Sequence, residues 1–244
     1  MSRTILITGA AKRVGRAIAL GLVQAGDQVA VHYRTSAAEA AAVVDELQAA
    51  GAESASFGAD LTVAAEVEAL AAGVNDRFGR LDVVVAAAAV FRRTPWTAVS
   101  EDDWDFHVDA NLKATFLLAR AVAPRMNEGG VIVTFGDWAG ERAYTDYLPY
   151  CVSKAGVIAL SKALAQELAP RVRVNCVCPG TILPPPDAPG AGLKRLAEMT
   201  PLKRLGSPDD AVAAVKFFVE GSDFTTGSVL HIDGGRAIVN NLRA

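Results

Sequence analysis

The stretch TILITGAAKRVGRA, residues 4–17, decides the fold. An apolar run of strand length, residues 4–8, leads through a glycine turn into a helix-period segment over residues 14–25. Gly9 permits the tight turn, and Gly15 lets the start of the helix lie close to the strand. Backbone amides at such a helix N-terminus face a pyrophosphate. The stretch therefore predicts a nucleotide site formed by Gly9, Arg13, Val14 and Gly15.

The same alternation continues along the chain. Further strand-like runs cover residues 28–33, 53–58, 83–87, 131–135, 172–177 and 229–232. Helix-like segments cover residues 36–50, 63–78, 112–126 and 150–168, and others open at Ser100 and Ser207. Repeated βα units with continuously apolar strands predict one α/β domain over residues 1–244. It is a doubly wound parallel sheet, Rossmann-like, with helices on both faces.

Four residues follow strand ends: Gly9, Ala87, Asp137 and Pro179. Ligands in such sheets bind at the carboxyl ends of the strands, so these residues are predicted to line one crevice. The irregular segment after the sixth strand, about residues 181–206, contains Pro184, Pro185 and Pro186, which favour an extended chain. Its position predicts a substrate lid, the alternative being a surface excursion.

Composition excludes several function classes. The 244 residues carry a net charge of −3 and a pI near 5.7, so no attraction to nucleic acid or anionic membrane is expected. The longest apolar runs are too short to span a bilayer, and no leader pattern opens the chain. Three cysteines form no disulfide framework, and we interpret Cys176 and Cys178 as small buried side chains rather than metal ligands. A cytoplasmic protein without a metal is expected.

The end of the second strand indicates which nucleotide binds. It reads His32-Tyr33-Arg34-Thr35-Ser36, without the acid that often holds the ribose of NAD. Arg13, Arg34 and Ser36 could instead meet a 2′-phosphate, and His32 could add to the nucleotide contacts. The sequence thus predicts NADP(H), unless Arg34 is only a solvated surface arginine.

Tyr150 and Lys154 stand four residues apart, so on a helix they share one face. A free tyrosine titrates near pH 10, and a neighbouring ammonium favours its phenolate form. This pair predicts a tyrosine able to donate or accept a proton, whereas the alternative is a half-buried tyrosine beside a solvated lysine.

Together these motifs resemble the short-chain dehydrogenase/reductase family along nearly the whole chain. The matches are the glycine loop, Asp60-Leu61, Asn111, Tyr150 with Lys154, Pro179-Gly180 and Asp233-Gly234-Gly235. The resemblance implies hydride transfer from a nicotinamide cofactor, with Tyr150 as proton donor. It also implies that Lys154 binds the ribose and lowers the pKa of Tyr150, that Asn111 holds a relay water, and that Asp60 contacts adenine. Homotetramers packed through long helices are implied too.

Two positions depart from the family pattern. The fourth strand ends in Ala86-Ala87-Ala88-Ala89 where the family usually has Asn-Asn-Ala-Gly, which puts local rigidity and cofactor affinity in doubt. Thirteen residues before the tyrosine, Asp137 replaces the usual serine. An ionised acid cannot donate a hydrogen bond to a carbonyl and would repel its developing charge, so Asp137 favours a substrate that accepts hydride at a ring C=N bond.

The pteridine reductases, a branch of the same family, resemble this chain most in Arg13, Phe91 and Asp137. That resemblance implies an NADPH-dependent reductase of dihydropterins. Phe91 would stack on the pterin, Arg13 would reach cofactor phosphate and pterin, and Asp137 and Tyr150 would supply protons. Phe91 could otherwise be a core aromatic, and Asp137 a helix cap or the ion-pair partner of Arg142.

Two further functions stay open. One is an NADPH-dependent carbonyl reductase of the 3-oxoacyl thioester type. The other is a protein that holds NADP without catalysis, which the alanine run favours and Asn111, Tyr150 and Lys154 disfavour.

Overall fold

The computed structural model describes residues 2–184 and 190–239. The strands are β1 Thr4–Ile7, β2 Gln28–Tyr33, β3 Glu53–Gly58, β4 Val83–Ala86, β5 Gly130–Phe135, β6 Val172–Pro179 and β7 Val229–Ile232. The α-helices are α1 Arg13–Leu22, α2 Ala37–Ala49, α3 Ala64–Phe78, α4 Glu101–His107, α5 Ala114–Val122, α6 Leu148–Leu168, α7 Gly190–Met199 and α8 Pro208–Lys216.

The strands form one parallel sheet in the order β3-β2-β1-β4-β5-β6-β7. The predicted single-domain doubly wound fold is confirmed. β1, β4, β5 and β6 are consecutive in this order, so their carboxyl ends lie side by side. Gly9, Ala87 and Asp137 follow the ends of β1, β4 and β5, and Pro179 is the last residue of β6, as the sequence predicts.

Alternation along the strands divides the core into two layers. Ile5, Ile7, Val83 and Val85 point to the face covered by α1, α2 and α8. Leu6, Val84 and Ile132 point to the face covered by α3 and α5. Since successive side chains of a strand point to opposite faces, a run that is apolar at every position is buried on both sides.

Two segments differ from the sequence-based expectation. Residues 112–126 are not one α-helix, because a π-helical stretch, Val108–Lys113, precedes α5 and a 3₁₀ turn, Ala123–Arg125, follows it. The segment 181–206 is not irregular throughout, because it contains α7. Gly190 and Gly192 in the first turn of α7 disfavour a helix, so the local sequence does not predict one there. Pro185, Pro186 and Pro189 lie outside the described residues.

Within residues 2–184 and 190–239, no helix is long and apolar enough to cross a membrane.

The glycine turn after β1 depends on a close backbone approach. A Cβ placed on Gly15 would lie 2.3 Å from the carbonyl oxygen of Gly9, which is backbone and has little room to move. Gly9 itself has φ +65°, a conformation in which a side chain is strained. The first helix can therefore begin against the sheet only if position 15 carries no side chain.

We expect Gly15→Ala to lower the free energy of unfolding by about 1–3 kcal/mol, the usual cost of overpacking. Gly73→Ala is the matched control, since a Cβ at Gly73 in α3 would make ordinary contact with the Phe57 ring at 3.6 Å. That control should stabilise the protein by about 0.5–1 kcal/mol, because alanine suits a helix interior better. Urea unfolding of the two variants checks this, and equal midpoints would contradict the close-approach argument.

Candidate active site

A cavity of about 400 Å³ lies at the carboxyl ends of β1, β2 and β4. Ten residues predicted for the cofactor line it: Gly9, Arg13, Val14, Gly15, His32, Arg34, Ser36, Asp60, Leu61 and Ala87. Lys154, Pro179 and Gly180 are not part of this lining. Gly180 lines a second cavity of about 700 Å³ toward β7, where a Cβ on Gly180 would lie 2.8 Å from the Cα of Asp233.

The lining suits a phosphorylated nucleotide. A Cβ on Gly9 would approach the Cα of Ala88 to 3.0 Å, so the absence of a side chain lets the segments after β1 and β4 lie close together at the cavity. The exposed cations Arg13 and Arg34 stand at this cavity, together with Ser36. The Arg13 guanidinium also donates to the carbonyl of Leu183 at 2.5 Å, which connects the glycine loop to the start of the segment 181–206.

His32 links the glycine loop to the end of β3. It is 2% exposed; its Nδ1 accepts from the Gly9 amide at 3.1 Å, and its Nε2 lies 3.0 Å from the Ala59 carbonyl. Only the neutral ring with its proton on Nε2 satisfies both partners. Burial lowers the pKa of His32, in agreement with that neutral form, although Ala59 and Asp60 oppose the shift. One ring nitrogen thus hydrogen-bonds the glycine loop, and the other hydrogen-bonds the residue that follows β3.

Asp60 is held by its neighbours at the same edge. Its carboxylate accepts from the Thr62 amide at 2.9 Å and from the Thr62 hydroxyl at 2.7 Å. These hydrogen bonds lower the pKa of Asp60, so the side chain stays ionised at the cavity wall.

The alanine run after β4 is tied through its backbone. The Thr8 hydroxyl accepts from the Ala88 amide at 3.1 Å. The Asn111 side chain accepts from the Val90 amide at 2.8 Å and donates to the Val90 carbonyl at 3.1 Å. Thr8 and Asn111 thus supply hydrogen bonds to the turn, and the effect of the four alanines on local rigidity and cofactor affinity stays a prediction.

Asn111 sits in the π-helical stretch that opens α5. It also donates to the Ser153 hydroxyl at 3.0 Å, and Ser153 in turn donates to the Tyr150 carbonyl at 2.7 Å. A π-helix frequently marks a functional site, because its extra residue re-aims a side chain. Here the stretch directs a buried amide from one helix toward the turn of α6 that carries Tyr150.

Tyr150 and Asp137 form the centre of the site. The Tyr150 hydroxyl donates to Oδ2 of Asp137 at 2.7 Å, while Oδ1 of Asp137 accepts from the Ala139 amide at 2.8 Å. Asp137 thus caps a short 3₁₀ turn, Trp138–Gly140, so the alternative interpretation as a cap describes one of its two contacts. Arg142, the other suggested partner, donates to the Ala237 carbonyl at 3.1 Å.

The protonation of these groups follows from burial. Burial raises the pKa of Asp137 against the opposing effect of its hydrogen bonds and of Lys154. Burial, and the charge of Asp137, raise the pKa of Tyr150 well above its usual value. Burial lowers the pKa of Lys154, which the charge of Asp137 opposes. The site therefore favours a protonated tyrosine beside a carboxyl that holds a proton more strongly than usual.

Lys154 does not act on Tyr150 as the sequence suggested. Its ammonium donates to the Phe135 carbonyl at 2.7 Å and lies 5.9 Å from the centre of the Tyr150 ring. The predicted lowering of the pKa of Tyr150 by Lys154 is wrong for this structure, because the nearer Asp137 and burial both act in the opposite direction. The shared helix face of the two residues is confirmed, since both lie on α6.

Aromatic rings surround Tyr150. Phe91, 51% exposed, stacks on Tyr147 with ring centres 4.6 Å apart and meets Tyr150 edge-on at 4.7 Å. Phe91 is thus a wall of the site, and its interpretation as a core aromatic is wrong. Trp138, left undecided by the sequence, packs on Tyr144 at 5.4 Å.

Sequence reasoning missed several functional neighbours. They are Thr8, which contacts the alanine run, Ser153, which contacts Asn111, and Tyr147, which stacks on Phe91. Only the fold brings these partners together. One signal was readable, since Ser153 precedes Lys154 by one residue on the same helix. Cys176 and Cys178 are fully buried with sulfurs 3.9 Å apart, as their alternation on a strand predicts.

Comparison with known proteins establishes the family. A family model described as enoyl-(acyl carrier protein) reductase matches residues 9–237. Because this match covers most of the chain, the protein belongs to that family, within the short-chain dehydrogenase/reductase oxidoreductases.

Two curated relatives are similar over almost their full lengths. The 3-oxoacyl-[acyl-carrier-protein] reductase FabG of Staphylococcus aureus is 36% identical over 241 residues, covering 96% of this chain and 98% of the relative. The (2S)-[(R)-hydroxy(phenyl)methyl]succinyl-CoA dehydrogenase subunit BbsD of Thauera aromatica is 36% identical over 245 residues, covering 97% of each.

Solved structures agree. A short-chain dehydrogenase/reductase from Serratia marcescens superposes with a TM-score of 0.91 at 30% identity, covering 96% of this chain and 98% of the other. A blue fluorescent protein from a metagenomic library, solved in complex with NADPH, gives a TM-score of 0.90 at 28% identity with the same coverage.

The expectation of a pteridine reductase is wrong, because the relatives are named as reductases or dehydrogenases of acyl thioesters. The physical reason lies at position 137. The argument against a carbonyl substrate assumed an ionised Asp137, which would repel the carbonyl oxygen. Burial raises the pKa of this carboxyl, and a protonated carboxyl donates a hydrogen bond to oxygen as well as to nitrogen.

We expect His32→Leu to destabilise the protein by about 1–3 kcal/mol, because the Gly9 amide and the Ala59 carbonyl lose their partner. Since the pKa of His32 is lowered on folding, its contribution to stability is complete above pH 6.5, its ordinary pKa, and is lost as the pH falls through the folded value. Denaturant unfolding between pH 7.5 and about pH 5 measures both effects.

The matched control is His231→Leu, which removes a partly exposed imidazole beside Glu141 and should change stability by about 0.5 kcal/mol or less. Parallel pH curves for wild type and His32→Leu would contradict the role of the neutral imidazole.

Proposed function

We propose that the protein is an NADPH-dependent carbonyl reductase acting on a 3-oxoacyl thioester. One observation carries the proposal: the chain is 36% identical over almost its whole length to a 3-oxoacyl-[acyl-carrier-protein] reductase. The buried Tyr150 hydroxyl, placed beside Asp137 at the carboxyl end of the sheet, supports it as a proton donor.

NADP(H) is the proposed cofactor, and it supplies the hydride when bound. Its binding is supported by the cavity that Gly9, Arg13 and Arg34 line and by an NADPH complex of a solved relative. The 2′-phosphate is proposed to meet Arg13, Arg34 and Ser36. The remaining proposed contacts are Val14, Gly15, His32, Asp60, Leu61, Ala87, Lys154, Pro179 and Gly180. Of these, His32 acts through the Gly9 amide.

The chain's own residues then handle the proton. Tyr150 is proposed to donate its hydroxyl proton to the carbonyl oxygen as that oxygen gains negative charge. Asp137, in its protonated form, is proposed to donate a second hydrogen bond to the same oxygen, the task that serine performs elsewhere in the family. Asn111 accepts one hydrogen bond through Oδ1 and has a second lone pair for the relay water.

The segment 181–206 is proposed to cover the substrate. It begins where β6 ends, beside the crevice, and Arg13 reaches the Leu183 carbonyl from the glycine loop. Arg13 also lines the proposed nucleotide cavity. The lid and the cofactor would therefore both contact Arg13.

A homotetramer is also proposed. β7 is the terminal strand of the sheet, so one of its edges has no neighbouring strand within the described residues. Leu148 and Val152, on the helix that carries Tyr150, are 40% and 43% exposed. An open edge and exposed apolar side chains on a long helix suit contacts with further copies.

We expect NADPH oxidation with a 3-oxohexanoyl thioester of N-acetylcysteamine, and loss of about 10²–10⁴-fold in kcat in Tyr150→Phe, since the proton donor is removed. Tyr144→Phe is the matched control, because it deletes a hydroxyl from a ring next to the site that packs on Trp138, and should keep the rate. Turnover that persists in Tyr150→Phe would overturn the role of Tyr150 as proton donor. No oxidation by the wild type would overturn the proposed reaction and favour a non-catalytic NADP-binding protein.

The pH dependence tests Asp137 separately. Because its pKa is raised, the carboxyl is protonated below that value and ionised above it, so wild-type kcat should fall as the pH rises through it. Asp137→Ser carries a donor that does not ionise and should keep or raise turnover, with its advantage growing toward alkaline pH. The same profile for both proteins would show that Asp137 acts only as the cap of the following turn.

A further inference from the structure

We propose that the substrate's reacting carbonyl carries an aromatic ring, which makes the substrate a 3-aryl-3-oxoacyl thioester. The inference rests on the proposed function and concerns the substituent that the site selects. It comes from the aromatic side chains on the two sides of the Tyr150–Asp137 pair, Phe91 against Tyr150 and Trp138 next to Asp137 in the chain.

The first side is Phe91. One face of its ring is covered by Tyr147, with ring centres 4.6 Å apart and planes within 9° of parallel. About half of the side chain, 51%, is nevertheless exposed. Because Phe91 also meets Tyr150 at 4.7 Å, its open surface adjoins the ring that carries the proton donor.

The second side is Trp138, the residue after Asp137. Its ring packs on Tyr144 at 5.4 Å, and the Arg236 guanidinium lies over it at 5.4 Å. Tyr144 meets Tyr147 at 5.1 Å. Phe91, Tyr147, Tyr144 and Trp138 therefore form a continuous aromatic arc beside the Tyr150–Asp137 hydrogen bond.

An arc of this kind discriminates between flat and puckered groups. A planar ring can stack on or meet the edge of another aromatic ring, and such pairs gain energy beyond the area they bury. A saturated ring of the same size buries similar area without that gain. The arc is also held by its own ring contacts, so little side-chain freedom is lost when a ligand joins it.

The reaction balances without a further reactant. A hydride from NADPH forms the new C–H bond at the carbonyl carbon, and the C=O π electrons move to the oxygen. Tyr150 supplies the proton to that oxygen, giving a benzylic secondary alcohol and NADP⁺, and solvent returns the proton to Tyr150. The aryl group makes and breaks no bond, but its conjugation with the carbonyl changes the intrinsic reactivity, so its effect on binding is measured from KM and from variants of the aromatic side chains.

The test compares the 3-oxo-3-phenylpropanoyl and 3-cyclohexyl-3-oxopropanoyl thioesters of N-acetylcysteamine, with the straight-chain 3-oxohexanoyl thioester as reference. We expect wild-type kcat/KM to favour phenyl over cyclohexyl by on the order of 10-fold, as stacking energies suggest. In Phe91→Leu that ratio should fall toward one, with the rise in KM confined to the phenyl substrate. Trp138→Leu should lower the ratio as well.

The matched control is Phe224→Leu. Phe224 is 99% exposed and precedes β7, at the amino end of the sheet and away from the site, so the ratio should not change. Reduction of the straight-chain substrate with no preference for phenyl, or an unchanged ratio in Phe91→Leu, would overturn the aryl inference while the proposed function stands. Failure to reduce any of the three thioesters would overturn both.

Discussion

The placement of β4 between β1 and β5 is the constraint on which the rest of the molecule depends. From β1 the sheet grows in one direction through β2 and β3, and from β4 it grows in the other through β5, β6 and β7. Chain segments that leave β1 and β4 therefore turn toward opposite faces and leave a crevice between them. The nucleotide cavity opens at this point, and Asp137 follows the next strand along.

Burial, more than any single charge, sets the chemistry at Tyr150. Lys154 and Asp137 carry opposite charges in their ionised forms, yet burial opposes ionisation of both. The Lys154 ammonium is stabilised by the Phe135 carbonyl, and Asp137 by Tyr150 and the Ala139 amide. Lys154 and Asp137 thus each have hydrogen-bond partners within the site. The pKa of Tyr150 is raised, so its proton stays on the hydroxyl oxygen.

Local patterns predicted the elements that position the site, and contacts between distant elements decided what could not be predicted. The capping box at Ser100 and Asp103 and the spacing of Tyr150 and Lys154 are local, and the structure has both on helices as expected. The role of His32 is not local, because it depends on the Gly9 amide and the Ala59 carbonyl meeting one ring. The branch of the family was misjudged for a related reason. An aspartate at position 137 is compatible with several substrates. Its protonation depends on its burial and its hydrogen-bond partners, which the sequence does not give.

The turn formed by the alanine run after β4 is held by residues that are distant from it in sequence. Ala88 and Val90 are held by their backbone groups, through hydroxyl and amide side chains that belong to β1's end and to the π-helical stretch. The hydrogen bonds that shape the turn therefore involve its backbone groups, not the side chains at 86–89. A search for relatives that demands particular letters at that turn would pass over chains like this one.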